Sequence, residues 1–304
     1  MKLGSIFKRF AIGFVKNGYW YNNIAFRECK KFWEYNTFNT DVMNIGSASG
    51  VYAFNYDGLP IKGANFSMCA NPQCADLAIL KCYYSYLNPQ KSTVIIALCP
   101  FTALSGNYEY LEDKYYTILA PPSMPVFYFW KKQEVMEKKK NPLKYYPFSA
   151  LFSDIKHYLR SDKKPIMSET QMAEDAQRKI AGWVKEFSMT SFEAPLSPIN
   201  KDAKDEAIRL LNDTIEFCND RNITPVVVIP PLYHTLSELI TPKARKILFD
   251  SLFDNIRDKN VRILNYYDDK QFNNERSYFI DSFRMSKNGA KVFTQRVLTD
   301  IDLL

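Results

Sequence analysis

Residues 93–98 read TVIIAL, and residues 225–229 read PVVVI. Continuous apolar runs of this kind are typical of strands that are covered on both faces, as in a parallel sheet. Further strand candidates occupy residues 42–46, 64–69 and 261–265. Helical stretches lie between or after the strands, at residues 75–87, 202–219, 242–258 and 286–298. Right-handed crossovers between such units predict an α/β fold with a doubly wound, mainly parallel, five-stranded sheet.

The composition is that of a chain with a large apolar core, because 46% of the 304 residues are hydrophobic and 24% are charged. The stretch from about residue 101 to residue 200 departs from the strand–helix rhythm. It is rich in Tyr, Phe, Lys and Pro, as in YYTILAPPSMPVFYFWKK at residues 115–132, and we interpret it as an aromatic-rich insertion. The sequence thus predicts an N-terminal segment, 1–40, and a single α/β domain, 41–304, with the insertion at about 101–200.

The N-terminal segment begins with apolar and basic side chains at helical spacing. Its apolar members are Leu3, Ile6, Phe7, Phe10, Ala11, Phe14 and Val15, and its basic members are Lys2, Lys8, Arg9 and Lys16. This pattern predicts a basic amphipathic helix. Such a helix either lies on a membrane surface or docks against the domain, and we favour docking.

Neither a signal peptide nor an apolar run of about 18 residues is visible in the sequence. We therefore expect a cytoplasmic protein, with a peripheral position at the inner face of the membrane as the alternative. The net charge of +7 lies partly in Lys131, Lys132 and residues 138–140. Runs of this kind are usually solvated faces, and without a zinc-finger spacing or an aromatic–glycine RNA motif we exclude nucleic acid as a partner.

The sequence predicts neither a metal nor another cofactor. The six cysteines lie mostly inside apolar runs without a CxxC pair, and His157 and His234 are the two histidines. This set does not make a zinc site. The segment GSASG, residues 46–50, matches neither GxGxxG nor GxxxxGK[ST], which argues against a nucleotide-binding loop.

Ligands of doubly wound sheets bind beyond the carboxyl ends of the strands. The segments that follow the predicted strands are GSASG (46–50), CANPQ (69–73), CPFTAL (99–104), PPLYH (230–234) and, near the C-terminus, DSFRMSKNGA (281–290). Ser47 and Ser49 follow the first strand directly. They indicate a nucleophile turn, an anion-binding helix start or a plain helix N-cap.

In this order the blocks resemble the SGNH (GDSL-like) hydrolase superfamily, in particular a group of SGNH-like proteins associated with bacterial capsule and exopolysaccharide biosynthesis. The resemblance covers residues 41–116 and about 222–304. Its blocks are NIGSASGVYAFNYDGL (44–59), ANFSMCANPQCADLAILKCYY (64–84), VIIALCPFTAL (94–104) and YFIDSFRMSKNGAKVFT (278–294). It implies an SGNH/flavodoxin-like sheet and a Ser–His–Asp site that acts on a surface polysaccharide or its precursor.

The resemblance implies a role for each matching position in the first three blocks. Gly46 fits the start of a Gly-x-Ser nucleophile turn, but the serine position falls on Ala48, between Ser47 and Ser49. The oxyanion donors would be the backbone N–H of the nucleophile, the N–H of Ala70 in place of a glycine, and an asparagine side chain. That asparagine position falls on Pro100, which has no donor.

The closing block keeps Asp281, the residue that would orient the histidine, but Arg284 occupies the histidine position. An arginine stays protonated and cannot serve as a general base. His234, after the fourth strand, is a candidate replacement for the base. Its alternative role is that of a loop residue bonded to the backbone.

These departures favour a degenerate site over an intact one. The cleft would then contain Ser47, Ser49, Asn65, Ser67, Asp281 and Arg284, with Arg284 paired to Asp281 or to an anionic ligand. With aromatic side chains nearby, it would bind a carbohydrate or an acylated sugar. The alternatives are an active carbohydrate O-acyl esterase or O-acyltransferase, and a non-catalytic glycan-binding protein or membrane-surface adaptor.

Overall fold

A computed structural model describes residues 3–104, 111–159 and 166–304, and within this chain two compact units are distinct. Unit 1 comprises Met1–Asn36 and Glu109–Pro165, and unit 2 comprises Thr37–Tyr108 and Ile166–Leu304. The N-terminal helix and residues 109–165 of the aromatic-rich stretch therefore belong to one unit. Residues 166–200 belong to the unit that contains the sheet.

Unit 2 is built around five parallel strands in the order β2-β1-β3-β4-β5. The strands are β1 (Val42–Gly46), β2 (Gly63–Asn65), β3 (Ser92–Ala97), β4 (Ile223–Ile229) and β5 (Arg262–Asn265). The side chains of β1 and β3 are buried throughout, as expected for strands covered on both faces. The predicted α/β fold with a five-stranded parallel sheet is confirmed.

Helices cover both faces of this sheet. The helices of unit 2 are α3 (Ala48–Ala53), α4 (Gln73–Tyr83), α7 (Glu169–Glu186), α8 (Pro198–Asn219), α9 (His234–Ser237), α10 (Pro242–Arg245), α11 (Ser251–Asp254), α12 (Lys270–Asn273) and α13 (Lys287–Asp300). Helix α13 contacts α3, whereas α8 contacts both α4 and α11. The strand order reverses direction at β1. Right-handed crossovers therefore place α3 and α13 on one face of the sheet and α4, α8 and α11 on the other. The crevice where the direction reverses lies between the carboxyl ends of β1 and β3.

Unit 1 consists of helices and an aromatic cluster. Its helices are α1 (Leu3–Asn17), α2 (Lys30–Trp33), α5 (Phe129–Lys140) and α6 (Ala150–Leu159), with a π-helical turn at Trp20–Ala25. Trp20 meets Tyr146 edge to face at 5.4 Å, and Phe26 meets Trp33 at 5.6 Å. Across the described parts of both units, each helix is too short or too polar to cross a membrane.

Candidate functional site

A cleft of about 540 Å³ opens at the carboxyl ends of β1 and β3 in unit 2. Four aromatic side chains contribute to its walls, from the segment after β3, from α7 and its C-cap and from the C-terminal region: Phe101, Trp183, Phe187 and Phe283. Phe101 and Trp183 pack with ring centroids 4.0 Å apart. The polar part of the lining comprises Ser47, Asn71, Gln73, Asp76, Thr102, Glu186, Ser188, Ser197 and Asn200. The cleft therefore lies at the crevice that the strand order defines.

The turn after β1 places Ser47 in this cleft. Gly46 has a φ of 141°, and a Cβ there would collide with the carbonyl oxygen of Ala97, so the turn requires glycine. Ser47 precedes α3 in an extended conformation, but its side chain does not cap the helix. Its hydroxyl instead accepts a hydrogen bond, at 3.3 Å, from the backbone N–H of Asn71. Ala48, the first residue of α3, also lines the cleft.

The loop after β2 supplies that N–H group. Ala70 has a φ of 54°, a left-handed conformation that costs a non-glycine residue about 1 kcal/mol. A glycine would adopt this conformation freely, and the N–H that bonds Ser47 belongs to Asn71, the residue after the predicted donor Ala70. Ala70 and Asn71 both line the cleft.

Asp76, on α4, connects the two loops, and sequence reasoning missed it. Its carboxyl group accepts hydrogen bonds from the side-chain amide of Asn71 and from the backbone N–H of Gly46. Burial raises the pKa of Asp76 to about 8, although both donors act to lower it. Asp76 is therefore largely protonated at neutral pH. An acidic residue in the first turn of a helix reads as an ordinary surface position, so the sequence carried no signal of this burial.

A second polar cluster lies behind α3 and holds it against the sheet. The side-chain amide of Asn65 donates to the carbonyl oxygens of Gly50, Val51 and Phe54 at 3.0, 3.2 and 2.9 Å. The amide of Asn44 donates to Asn65 at 2.9 Å.

Ser67 and Ser49 complete this region. Ser67 accepts from Asn44 at 2.7 Å, whereas Ser49 is buried and its hydroxyl has no hydrogen-bond partner among the described residues. The cleft lining contains Ser47 but none of Ser49, Asn65 or Ser67. Of the two serines, Ser47 is thus the one placed to meet a ligand.

Asp281 and Arg284 form the predicted pair. Asp281 is 2% exposed and accepts from the backbone N–H groups of Phe283 and Arg284 at 3.0 and 2.8 Å. The Arg284 guanidinium donates to it through Nε at 2.6 Å, its Nη2 lies 2.6 Å from the same carboxylate oxygen, and the guanidinium lies 5.1 Å from the Tyr52 ring centroid. Burial would lower the pKa of Arg284, but the bonds to Asp281 outweigh it and raise that pKa above its usual value. Phe283, which lies between Asp281 and Arg284 in the sequence, is part of the cleft lining, whereas Asp281 and Arg284 are not.

His234, the candidate replacement base, is bonded elsewhere. Its Nε2 lies 2.9 Å from Oε1 of Glu169, and its Nδ1 lies 3.6 Å from Oε1 of Glu238. The hydroxyl of the neighbouring Tyr233 donates to Glu169 at 2.5 Å. His234 is not part of the cleft lining. Among the described residues, the partners of the His234 ring nitrogens are therefore carboxylate groups, and not the serine or the backbone group that the sequence suggested.

Hydroxyl and thiol groups lie in the cleft lining, whereas Asp281, the acid expected in this site, lies outside it. Ser47 lies beside a hydrogen-bond donor, and Asp281, outside the cleft lining, binds the guanidinium of Arg284. Burial raises the pKa of the cleft residue Cys99 to about 12, so this thiol stays protonated at neutral pH. Within the described ranges, His, Cys, Asp and Glu form no group of three or more that could hold a metal ion.

Comparison with known proteins adds no family to this description. No protein-family model matches the chain, and a search of curated proteins likewise found no match.

Proposed function

We propose that this chain is an SGNH-hydrolase-like protein of bacterial surface polysaccharide biosynthesis or modification, with a degenerate Ser–His–Asp site. In this proposal the cleft at Ser47 binds a carbohydrate or an acylated sugar without hydrolysing it. The observation that carries the proposal is the pairing of Asp281 with Arg284. In an active site of this type the acid would orient an imidazole, and a guanidinium cannot accept the proton of the serine.

The lining of the cleft supports a ligand with both apolar and polar parts. Trp183 and Phe187 are half-buried side chains of the lining on which a sugar ring or an acyl chain can pack, with the buried ring of Phe101 behind Trp183. Ser47 and Asn200 offer hydroxyl and amide groups to ligand oxygens. A volume of about 540 Å³ lies within the range of small-molecule pockets.

The first test is ester hydrolysis. We expect the purified protein to hydrolyse p-nitrophenyl acetate and butyrate close to the background rate, because Arg284 occupies the expected position of the general base and His234 is bonded to Glu169. Ser47→Ala should leave that rate unchanged. Robust turnover that disappears in Ser47→Ala would contradict the degenerate site.

The second test is binding, measured by titration calorimetry with acetylated oligosaccharides and their deacetylated forms. We expect Trp183→Ala to weaken binding of the acetylated form about tenfold, as loss of an aromatic contact does. Trp130→Ala is the matched control, since Trp130 is 61% exposed, lies in unit 1 and should leave binding unchanged. Equal affinity of wild type and Trp183→Ala would contradict binding of the sugar in this cleft.

A second candidate, an active O-acyl esterase or O-acyltransferase, is favoured by the geometry around Ser47. A hydroxyl beside a backbone N–H that follows a left-handed residue is one half of an acyl-transfer site, the nucleophile with its oxyanion donor. This candidate requires acyl transfer from an acylated sugar that Ser47→Ala abolishes. Under the proposal above, wild type and Ser47→Ala both release acetate from such sugars at the background rate.

A further inference from the structure

Exposed apolar side chains are concentrated in unit 1. Its two segments contain 36 and 57 of the 304 residues, yet they carry twelve of the twenty large hydrophobic side chains that are exposed in the described chain. A large exposed apolar surface marks an interaction site more often than chance.

Helix α1 contributes the first part of this surface. Phe7 and Phe10 are 67% and 74% exposed, and Phe14 follows at the spacing that completes one helical face. The ring of Phe14 stacks on Tyr158 of α6 with centroids 5.4 Å apart. The Tyr158 hydroxyl also donates to the carbonyl oxygen of Phe14 at 3.4 Å. The apolar face of α1 therefore meets α6 directly.

Helix α6 and the residues before it contribute the second part. Phe148 and Phe152 are 79% and 68% exposed and contact each other edge to face, and Ile155 lies one turn further on. We name Phe7, Phe10, Phe148, Phe152 and Ile155 the aromatic surface of unit 1.

The charge of the protein is divided between the units in a way that matches this surface. By sequence, unit 1 carries 18 Lys and Arg against 9 Asp and Glu, a net charge of +9, whereas unit 2 carries 22 against 24, a net charge of −2. Lys8, Arg9 and Lys16 are exposed on α1, and Lys156 is exposed on α6. The one acidic residue of these two helices, Asp154, is fully buried.

We propose that unit 1 docks on an anionic lipid surface through its aromatic surface. Aromatic side chains enter the boundary between headgroups and acyl chains, and lysine and arginine side chains bind lipid phosphates. A second copy of this chain would fit the apolar side chains but would bring two units of charge +9 together, which electrostatic repulsion opposes. Charge complementarity therefore favours the lipid surface.

The test is co-sedimentation of the full chain with vesicles. One set contains phosphatidylcholine alone, and the other contains phosphatidylcholine with about one third phosphatidylglycerol. We expect binding at least tenfold tighter to the anionic vesicles, because each lysine or arginine near such a surface strengthens binding about fivefold. High salt should reduce the difference by screening. Equal affinity for both vesicles, or none for either, overturns the proposal.

Variants test the surface itself. Phe7→Ser with Phe10→Ser, and separately Phe152→Ser, should each weaken binding about tenfold or more by removing buried apolar area. Lys8→Glu with Arg9→Glu should also weaken it, by repulsion from the lipid phosphates. Phe38→Ser and Lys91→Glu are matched controls on exposed residues of unit 2 and should bind as wild type.

Thermal unfolding of each variant separates lost binding from lost folding. The variant Lys8→Glu with Arg9→Glu changes exposed side chains only, so it should fold as wild type. Variants and controls that bind equally well overturn the proposal. So does a concentration-dependent dimer, seen by analytical ultracentrifugation, that Phe7→Ser with Phe10→Ser abolishes, since a second copy would then cover the surface.

Discussion

The protonation of the Asp76 carboxyl group is set by its surroundings in the fold. Two loops far apart in sequence supply its donors, Gly46 and Asn71, and burial holds its proton. The local sequence pattern cannot predict the burial of this carboxyl group, because its surroundings form only when the two loops pack together in the fold. By contrast, the order of blocks along the sequence pointed to Ser47, which lines the cleft, and to the pairing of Asp281 with Arg284, although these two residues lie outside the lining.

Asp76 should make the stability of the protein depend on pH. The folded protein keeps this proton up to about pH 8, whereas the unfolded chain releases it near the ordinary value of 3.8. The folded state therefore binds more protons between these values, and the free energy of unfolding falls as pH rises through this window, by several kcal/mol.

Asp76→Asn should flatten this fall, measured by urea unfolding from pH 4 to pH 9, and Asp57→Asn on the surface should not. If the wild-type and Asp76→Asn curves run parallel across the window, the carboxyl group is not held in its protonated form.

Arg284→Ala should lower the free energy of unfolding by about 1–2 kcal/mol, because it leaves the buried Asp281 with two backbone donors and Lys179 at 3.5 Å. Arg209→Ala is the matched control. Arg209 pairs with Glu206 and Asp213 on an exposed helix face and should cost about 0.5 kcal/mol or less. Losses of equal size would mean that the buried pair contributes no more than a surface pair.

Helix α3 lies unusually close to the sheet, and Gly50 makes this possible. A Cβ at Gly50 would collide with the Ser67 hydroxyl and lie 3.1 Å from the Cβ of Ala97. Gly50→Ala should therefore destabilise the protein by about 2 kcal/mol or more, through overpacking.

The matched change is Gly182→Ala in α7, where an added Cβ meets no described heavy atom within 4 Å. It should stabilise the protein by about 0.5–1 kcal/mol, since alanine favours the helix. Chemical denaturation of both variants measures the two effects. Two changes of the same sign would show that α3 can move away from the sheet.

The sequence predicted the bounds of β1, β3 and β5 to within one residue, whereas β4 begins two residues before its predicted start. Strand β1 has the predicted bounds and β3 is shifted by one residue, because burial on both faces leaves a clear signal. Strand β2 is shorter than predicted, although the N–H of Phe66 and Met68 still donate to β1. The helix predicted at 242–258 contains a π-helical turn, Lys246–Asp250, which periodicity alone does not reveal.

At the scale of the whole molecule, the composition of unit 1 from two distant segments escaped sequence reasoning. The sequence does not show which aromatic residues pair across the 72 residues that separate the two segments. Trp33 Nε1 donates to the Thr117 hydroxyl at 3.2 Å, and Trp20 packs on Tyr146. Such contacts follow from packing and not from periodicity.

Trp20→Ala should accordingly loosen the packing of residues 111–159, which belong to the second segment of unit 1. Trp20 is 5% exposed, and its removal should cost about 3–5 kcal/mol as a large core truncation. We expect limited proteolysis to cut residues 111–159 faster in this variant than in wild type. Trp130→Ala, which removes an exposed ring of the same unit, should leave the cleavage rate unchanged.

The contact of Asp154 with the first segment of unit 1 has a consequence for synthesis on the ribosome. It accepts hydrogen bonds from the Trp20 backbone N–H and from the Tyr146 hydroxyl, each at 2.8 Å, across a separation of 134 residues in the first case. At about 5–20 residues per second, roughly 7–27 s pass between synthesis of Trp20 and synthesis of Asp154. During that time the first segment has been made but its partner has not, while β1, β2 and β3 are completed between them. The nascent chain thus carries Trp20 for that time without Tyr146 and Asp154, two of the residues that Trp20 contacts in the folded unit.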